Sequence, residues 1–453
     1  MPIPLPSPFP VKPGYQEIAR WLRQGIEQGQ LKAGAKLPAI RRLANTLQVA
    51  PTTAVRAYRL LEQQELVQSR PGSGHYVASQ DSLNRVINPS HQGCNLSIIQ
   101  PNLALIENLW REAWQDNNAV PIPAAALSYP DENSLQPFKA CAQLWLQDQG
   151  IAAIHSQQLH FCHGAQHGLS VLLQCLTQAG DYIALEQYTY PGMLSLCRQL
   201  QRPTIAIAMD QQGMLPEAFE QACLHNRIRA VMIVASYQNP TAAVMSNRRR
   251  QALVNIAQRY NVWIIDDDIY GFLDQGQHLS LSVLAPDHCF TVTSLSKSLL
   301  PGLRVGFIYG PSSQAQAIAE AIRASIWTCA LPTLYMMQKL IEQGTATRML
   351  QAQIVEAQAR QRLLRQHLGS YELDSQIRSF HAWLHLPSSW PLNDFVQACQ
   401  AHQILVSPAP YFYSGSDKAA NAVRLAIMTP ETQAELIQGL QCIAQILACR
   451  PTL

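Results

Sequence analysis

The chain has 453 residues, 47% of them hydrophobic and only 14% charged, with a formal net charge of +3. That length predicts two to four domains and enough apolar surface for a sizeable core. No apolar run reaches the roughly 18 residues of a membrane span. The first fifteen residues lack the basic-then-apolar order of a secretory signal, and the eleven cysteines show no CxxC pairs. A membrane protein, a secreted disulfide scaffold, a zinc finger and wholesale disorder are therefore excluded. A cytoplasmic protein with reduced thiols is expected.

The charge is unevenly spread. Residues 1–78 hold ten Lys/Arg against four Asp/Glu, a net +6, and the remainder holds 23 against 26, a net −3. A basic head on a slightly acidic body is the footprint of nucleic-acid binding confined to one end. From Tyr15, the residues Ile18, Ala19, Leu22 and Ile26 fall at helical spacing, with a stop near Gly29. A second helix carries Ile40, Leu43, Ala44 and Leu47, with Pro38 expected in its first turn. After a turn at Gln48–Pro51, a third helix is expected from Thr52 to Gln64. Ala54, Val55, Tyr58 and Leu61 should form its buried side, and Thr52, Arg56 and Arg59 its outer side. Leu66–Arg70 and His75–Val77 read as strands flanking the turn-rich Pro71-Gly72-Ser73-Gly74.

Helix, turn, helix and hairpin make a winged helix-turn-helix whose third helix enters a major groove. The run GAKLPAIRRLA, then VAPTTAVRAYRLLEQQELV, then RPGSGHYV resembles the GntR-type winged helix of bacterial regulators. The resemblance implies contacts to double-stranded DNA from Arg41, from Thr52 and Thr53 at the start of the recognition helix, and from the wing at Gly72 and His75. Arg56 joins them on the exposed helix face. Hydroxyls and N–H groups at a helix N-terminus suit phosphate, and arginine suits phosphate or a base edge. Pro51 stands where the family often has a basic or polar side chain, which removes one possible base contact.

Residues 79–93 are polar and aperiodic and read as a linker. The body, residues 94–453, alternates strands and helices. Strands are expected at Leu159–Cys162, Tyr182–Leu185, Thr204–Ala208, Ala230–Val234, Val262–Asp266, Phe290–Ser294 and Val305–Tyr309, with helices such as Ala165–Thr177 and Asn247–Tyr260 between them. Seven buried strands with crossovers predict a mostly parallel α/β sheet covered on both faces. A large lobe of about 126–344 and a smaller one of 94–125 plus 345–453 are expected.

Ligands in such sheets collect beyond the carboxyl ends of the strands. The residues found there are Gly164, Ala165 and Gln166 at a helix start, then Tyr190, then Asn239, then Asp267 and Tyr270. Last come Ser294, Ser296 and Lys297, with Arg304 seven residues on. Together they are what pyridoxal phosphate requires. Lys297 forms the Schiff base, Asp267 keeps the pyridine nitrogen protonated, and Asn239 and Tyr270 bond the phenolic oxygen. Tyr190 stacks on the ring, while Ser294, Ser296, Arg304 and the Gly164–Gln166 backbone hold the phosphate. No Cys/His spacing suggests a metal.

SLSKSLLPGLRVGF, NPT and DDDIY resemble the fold-type-I aminotransferases from about residue 95 to the C-terminus. That resemblance further implies Arg424 as the clamp on a substrate carboxylate. It also implies that Tyr129 reaches the phosphate of a neighbouring subunit, hence a homodimer. Ser134 and Ala242 replace usual glycines and Tyr188 a usual proline, which puts local loop geometry in question. A GntR-type head on such a body resembles the MocR-type bacterial transcriptional regulators. The resemblance implies a fold-type-I transferase body behind a winged head, a head-to-tail dimer, and transcription control. The signal would be pyridoxal phosphate or an amino-acid or amine effector acting through aldimine exchange at Lys297. The alternative is a working aminotransferase with an accessory head, since the residues for a half-reaction are present. A pure cofactor-binding scaffold is the third reading.

Overall fold

The computed structural model describes residues 13–27, 31, 35–63, 66–70, 74–77, 93–115, 129–151, 155–415, 417 and 419–449. The chain divides into two compact units, whose described parts are 13–77 and 93–449. Gly72 and positions 79–92 of the expected linker lie outside the described residues.

The head contains α1 (Tyr15–Glu27), α2 (Ile40–Thr46), α3 (Pro51–Gln63) and an antiparallel hairpin of β1 (Val67–Arg70) and β2 (Gly74–Val77). Its core joins Ile18, Leu22 and Ile26 of α1 to Leu43, Ala44, Tyr58 and Leu61, and to Val67 and Val77 of the hairpin. Gln48 adopts φ 53 between α2 and α3, which reverses the chain. Three helix-level expectations need correction. Pro38 precedes α2, whose N-cap is Ala39, and its carbonyl instead accepts the Tyr58 hydroxyl at 2.7 Å. On α3 the buried position is Ala57 rather than Val55, which is half-buried. The helix starts at Pro51, one residue earlier than expected, because proline at a first helical position forfeits no hydrogen bond.

In the body, a seven-stranded sheet comprises β3 (Leu159–Cys162), β4 (Tyr182–Glu186), β5 (Thr204–Ile207), β6 (Ile228–Ile233), β7 (Trp263–Asp267), β8 (Cys289–Ser294) and β9 (Gly306–Tyr309). Their spatial order is β3-β9-β8-β7-β6-β4-β5. All pairings are parallel except those of β9, which runs antiparallel to both β8 and β3. Apolar clusters pack on both faces of this sheet, which explains strands without polar alternation. The remainder holds the 24-residue helix Thr345–Leu368, the helix Gln433–Ala448 and a small sheet. That sheet is built from β10 (Leu373–Asp374), β11 (His381–His385), β12 (Ser407–Pro408) and β13 (Ala422–Ala426), ordered β10-β11-β13-β12. The segment Cys94–Asn95 pairs in parallel with Ile404–Leu405 and so joins the start of the body to this region. Among the described residues, no helix is long and apolar enough to cross a membrane.

Candidate cofactor site and DNA-binding face

The carboxyl ends of β3, β7 and β8 open onto one cavity of about 170 Å³. Gln166, Tyr190, Asn239, Asp267, Tyr270 and Lys297 are among its walls, as are Ala165, Ser294, Ser296, Arg304 and Arg424. These positions come from six separate stretches of chain. The strand ends of the seven-stranded sheet gather most of them, because its parallel crossovers return the chain to the same edge, and Arg424 comes from the small sheet.

At one side, β3 runs through His163 and Gly164 into the helix Ala165–Leu176. Gly164 has φ 75 and ψ 169, a region essentially restricted to glycine. A Cβ there would lie 2.5 Å from Arg304 Nη2. The guanidinium uses that room to donate to the His163 carbonyl at 3.3 Å and to Ser296 Oγ at 3.3 Å. Arginine, two serines nearby and the free N–H groups of a helix start form an anion cradle.

Asp267 ends β7 fully buried, and burial, then the neighbouring Asp268, pushes its carboxyl up to about 7, with Lys297 opposing. Its Oδ1 has no hydrogen-bond partner among the described residues. Lys297 lies on the short turn Leu295–Ser298 after β8. Burial lowers its amine to about 8, helped by Arg424 and Arg304 and opposed by Asp267. At that value a substantial fraction of the amine is unprotonated near neutrality, as a nucleophilic lysine requires.

The far wall is held by Arg424, in the centre of β13. It donates to Asn239 Oδ1 at 2.8 Å, to the Ser97 carbonyl and to Ser407 Oγ at 3.3 Å, and sits 4.7 Å over the Phe412 ring. Its Nε has no partner among the described residues. The Lys297 amine donates to the carbonyl of Ile99. Tyr270 is buried with its ring 5.6 Å from that of His381, and burial raises its phenol. His381 donates through Nε2–H to the Gln238 carbonyl at 2.8 Å, and burial holds its ring neutral, at about 3. Sequence reasoning missed Ser97, Ile99, Gln238, His381, Ser407 and Phe412. Ser97 and Ile99 could not have been found from spacing, since they lie about two hundred or more positions from the cations they serve.

Tyr190 is half-buried at the start of the helix Pro191–Gln199, and Gln166 donates to the Gly192 carbonyl at 3.2 Å. Tyr129 is 87% exposed, with its ring 5.8 Å from Trp327. The three departures from the family pattern have visible local consequences. Ala242 is buried at φ 61, a conformation that favours glycine. Ser134 is bonded through N to the capping carboxylate of Asp131 at 2.8 Å. The Tyr188 hydroxyl accepts from the Ala420 N–H at 2.7 Å while its ring packs 5.5 Å from Trp383.

On the head, Arg41, Thr52 and Arg56 are exposed, and Thr53 is half-buried at the start of α3. His75 turns inward: its ring lies 4.6 Å from that of Tyr58 and its Nε2 lies 3.5 Å from Glu62.

Pyridoxal phosphate fits this donor set. The unpartnered, buried Asp267 Oδ1 suits a protonated ring nitrogen, and the cradle that only Gly164 leaves open suits a phosphate. The family model for aminotransferases class I and II matches residues 95–440, and that for bacterial regulatory proteins of the gntR family matches 14–77. The chain belongs to the aminotransferase class I and II family, with a gntR-family helix-turn-helix domain ahead of it. It is 27% identical over 451 residues to the uncharacterized HTH-type transcriptional regulator YdeF of Bacillus subtilis, covering 96% of this chain and 95% of that one. It is 27% identical to the vitamin B6 salvage pathway transcriptional repressor PtsJ of Salmonella typhimurium, over 84% and 87% of the two chains. Among solved structures, an archaeal alanine:glyoxylate aminotransferase superposes with a TM-score of 0.72 at 20% identity, over 82% of this chain and 93% of that one. That last likeness establishes the fold. A cofactor of the pyridoxal type follows from the family.

Proposed function

We propose that this protein is a transcriptional regulator that binds double-stranded DNA through its head and pyridoxal phosphate through its body. The observation that carries the reading is a DNA-binding fold on the same chain as a buried lysine amine and an unpartnered carboxylate lining one cavity. The role of the relative PtsJ, a transcriptional repressor of the vitamin B6 salvage pathway, supports it.

When bound, the cofactor supplies an aldehyde carbon that amines attack and a ring that accepts electrons. Lys297 offers its amine there, with burial keeping enough of it unprotonated. Asp267 accepts the hydrogen bond of the ring nitrogen, and a positive charge at that atom lowers the carboxyl again. Arg424 takes Asn239 Oδ1, which leaves the Asn239 amide N–H groups and the Tyr270 hydroxyl for the phenolic oxygen. Arg304, Ser294, Ser296 and the Gly164, Ala165 and Gln166 backbone hold the phosphate, and Tyr190 covers a ring face. Tyr129 reaches the site of a second subunit in a head-to-tail dimer. An effector amine competes with Lys297, and its carboxylate, if it has one, engages Arg424. Both cations otherwise hold carbonyls of the segment Ser97–Ile99. A ligand that engages them releases that segment, which follows the connection to the head. Arg41, Thr52, Thr53, Arg56 and the wing at Gly72 meet DNA, while His75 packs on Tyr58; the protein works in the cytoplasm.

Footprinting of the full-length protein on DNA upstream of its own gene, at near-physiological salt, tests this. A protected site whose occupancy or extent changes on loading with pyridoxal phosphate is the expected result. Amino-acid turnover to keto acid at metabolic rates, without any protected site in the genome, would favour the enzyme reading instead.

A further inference from the structure

A second cavity, of about 240 Å³, lies between β3, the helix Glu132–Asp148 and the helix Ala315–Ile326, and shares no residue with the cofactor cavity. Its walls are Lys139 of the helix Glu132–Asp148, His160 and Phe161 of β3, and Ile322, Arg323 and Trp327 at the end of the helix Ala315–Ile326.

The polar groups are unusual for a wall of this kind. His160 is 8% exposed, and its Nε2 is buried without a hydrogen-bond partner among the described residues. Burial first, then Lys139 and Arg323, lowers its ring to about 4, so the imidazole is neutral and can present an N–H. Lys139 is a buried cation at 6% exposure, and Arg323 is exposed at the rim. Among the described residues the wall holds one carboxylate, Asp131, which caps its helix through the Ser134 N–H at 2.8 Å and the Ser134 hydroxyl. A buried donor without an acceptor is costly, and a ligand's oxygen on this wall would satisfy it. Two cations and a neutral N–H facing one cavity with Phe161 and Trp327 select an oxyanion attached to a compact apolar body.

We propose that this cavity binds a small organic oxyanion, a phosphate ester or a carboxylate, with Lys139, His160 and Arg323 as its ligands. The site touches the frame of the cofactor cradle. His160 is three residues before His163, and Ser325, two residues beyond Arg323, bonds His167 of the cradle helix at 2.9 Å. Occupancy therefore bears on the elements that carry Gly164 and Arg304.

Equilibrium dialysis of radiolabelled inorganic phosphate against the full-length protein tests the assignment, with pyridoxal phosphate present to fill the Arg304 cradle. One retained phosphate per chain is expected, with Kd weakened roughly tenfold or more in Arg323→Glu and several-fold in His160→Gln. Arg304→Ala should leave this binding unchanged even where it abolishes cofactor uptake, so failure of the cofactor reading is read separately. Displacement of the phosphate by benzoate assigns the site to oxyanions in general, and resistance to benzoate assigns it to phosphate esters. No retained phosphate, or equal retention in the native protein and Arg323→Glu, overturns the proposal.

Discussion

Gly164→Ala separates the backbone's contribution to the cradle from that of the charges around it. The substitution places a Cβ in a φ/ψ region where non-glycine residues are strained by about 1–3 kcal/mol. It also brings that carbon to 2.5 Å from Arg304 Nη2 and 2.9 Å from Cζ, so the guanidinium must move. Displacement gives up the bonds to the His163 carbonyl and Ser296 Oγ, each about 0.5–1.5 kcal/mol. It also removes a charge-assisted bond to any phosphate, about 1.5–3 kcal/mol, or a ten- to hundredfold weaker Kd. Titration of the apo protein with pyridoxal phosphate, followed by visible absorbance, reads the affinity, and thermal melting reads the fold. Gly180→Ala is the control: φ is 91 there, but nothing lies within 4 Å of the new Cβ. It should lower the melting temperature without touching cofactor affinity. Wild-type affinity in Gly164→Ala would refute the reasoning, because the guanidinium would then have another place to stand.

Three further outcomes are expected. Borohydride treatment of the loaded protein should fix the cofactor's mass on Lys297 in the native chain, and peptide mass spectrometry should find none in Lys297→Ala. The rate at which pyridoxal phosphate combines with the apo protein should climb from pH 7 and level off above the amine's value of about 8, since only the free base attacks; a flat profile would contradict it. Glu186 is buried, and burial raises its carboxyl to about 8, so the folded state holds a proton that the unfolded chain releases near pH 4.5. Stability from this group is complete below that pH and is lost as pH rises through about 8. Glu186→Gln should therefore gain on the order of a few kcal/mol over the native chain at pH 8.5 and little at pH 4.5, by denaturant titration. Arg41→Ala should weaken DNA binding in a mobility-shift assay and leave the cofactor's visible spectrum unchanged; a shifted spectrum would mean that the two units are not separable.

Much of this was legible because strands and their ends carry local signals. Apolar-rich runs such as Val262–Ile265 and Cys289–Thr293, interrupted only by Thr291 and Thr293, mark strands buried on both faces, and the polar residues just past them mark the cavity. The direction of β9 was not legible, since a buried strand reads the same whichever way it runs. Val55 and Ala57 could not be ranked from a helical wheel, because the burial of α3 depends on where α1 packs. Ser97 and Ile99 contribute carbonyls, which every residue has, so no side chain advertised them. His381 was hidden for a related reason: its part depends on the Gln238 carbonyl, brought to it by the packing of β11.

The reversed strand β9 has a consequence for how this site can change. Because β9 runs back beside β8, Lys297 follows the end of one strand and Arg304 precedes the beginning of the next, at the same edge of the sheet. A single loop thus works as a ruler with an anchor at each mark. Inserting or deleting one residue between Ser298 and Leu303 would shift the amine relative to the guanidinium, whatever side chains were kept. A substitution disturbs one contact of this cavity at a time, whereas a change in the length of that loop disturbs both anchors at once.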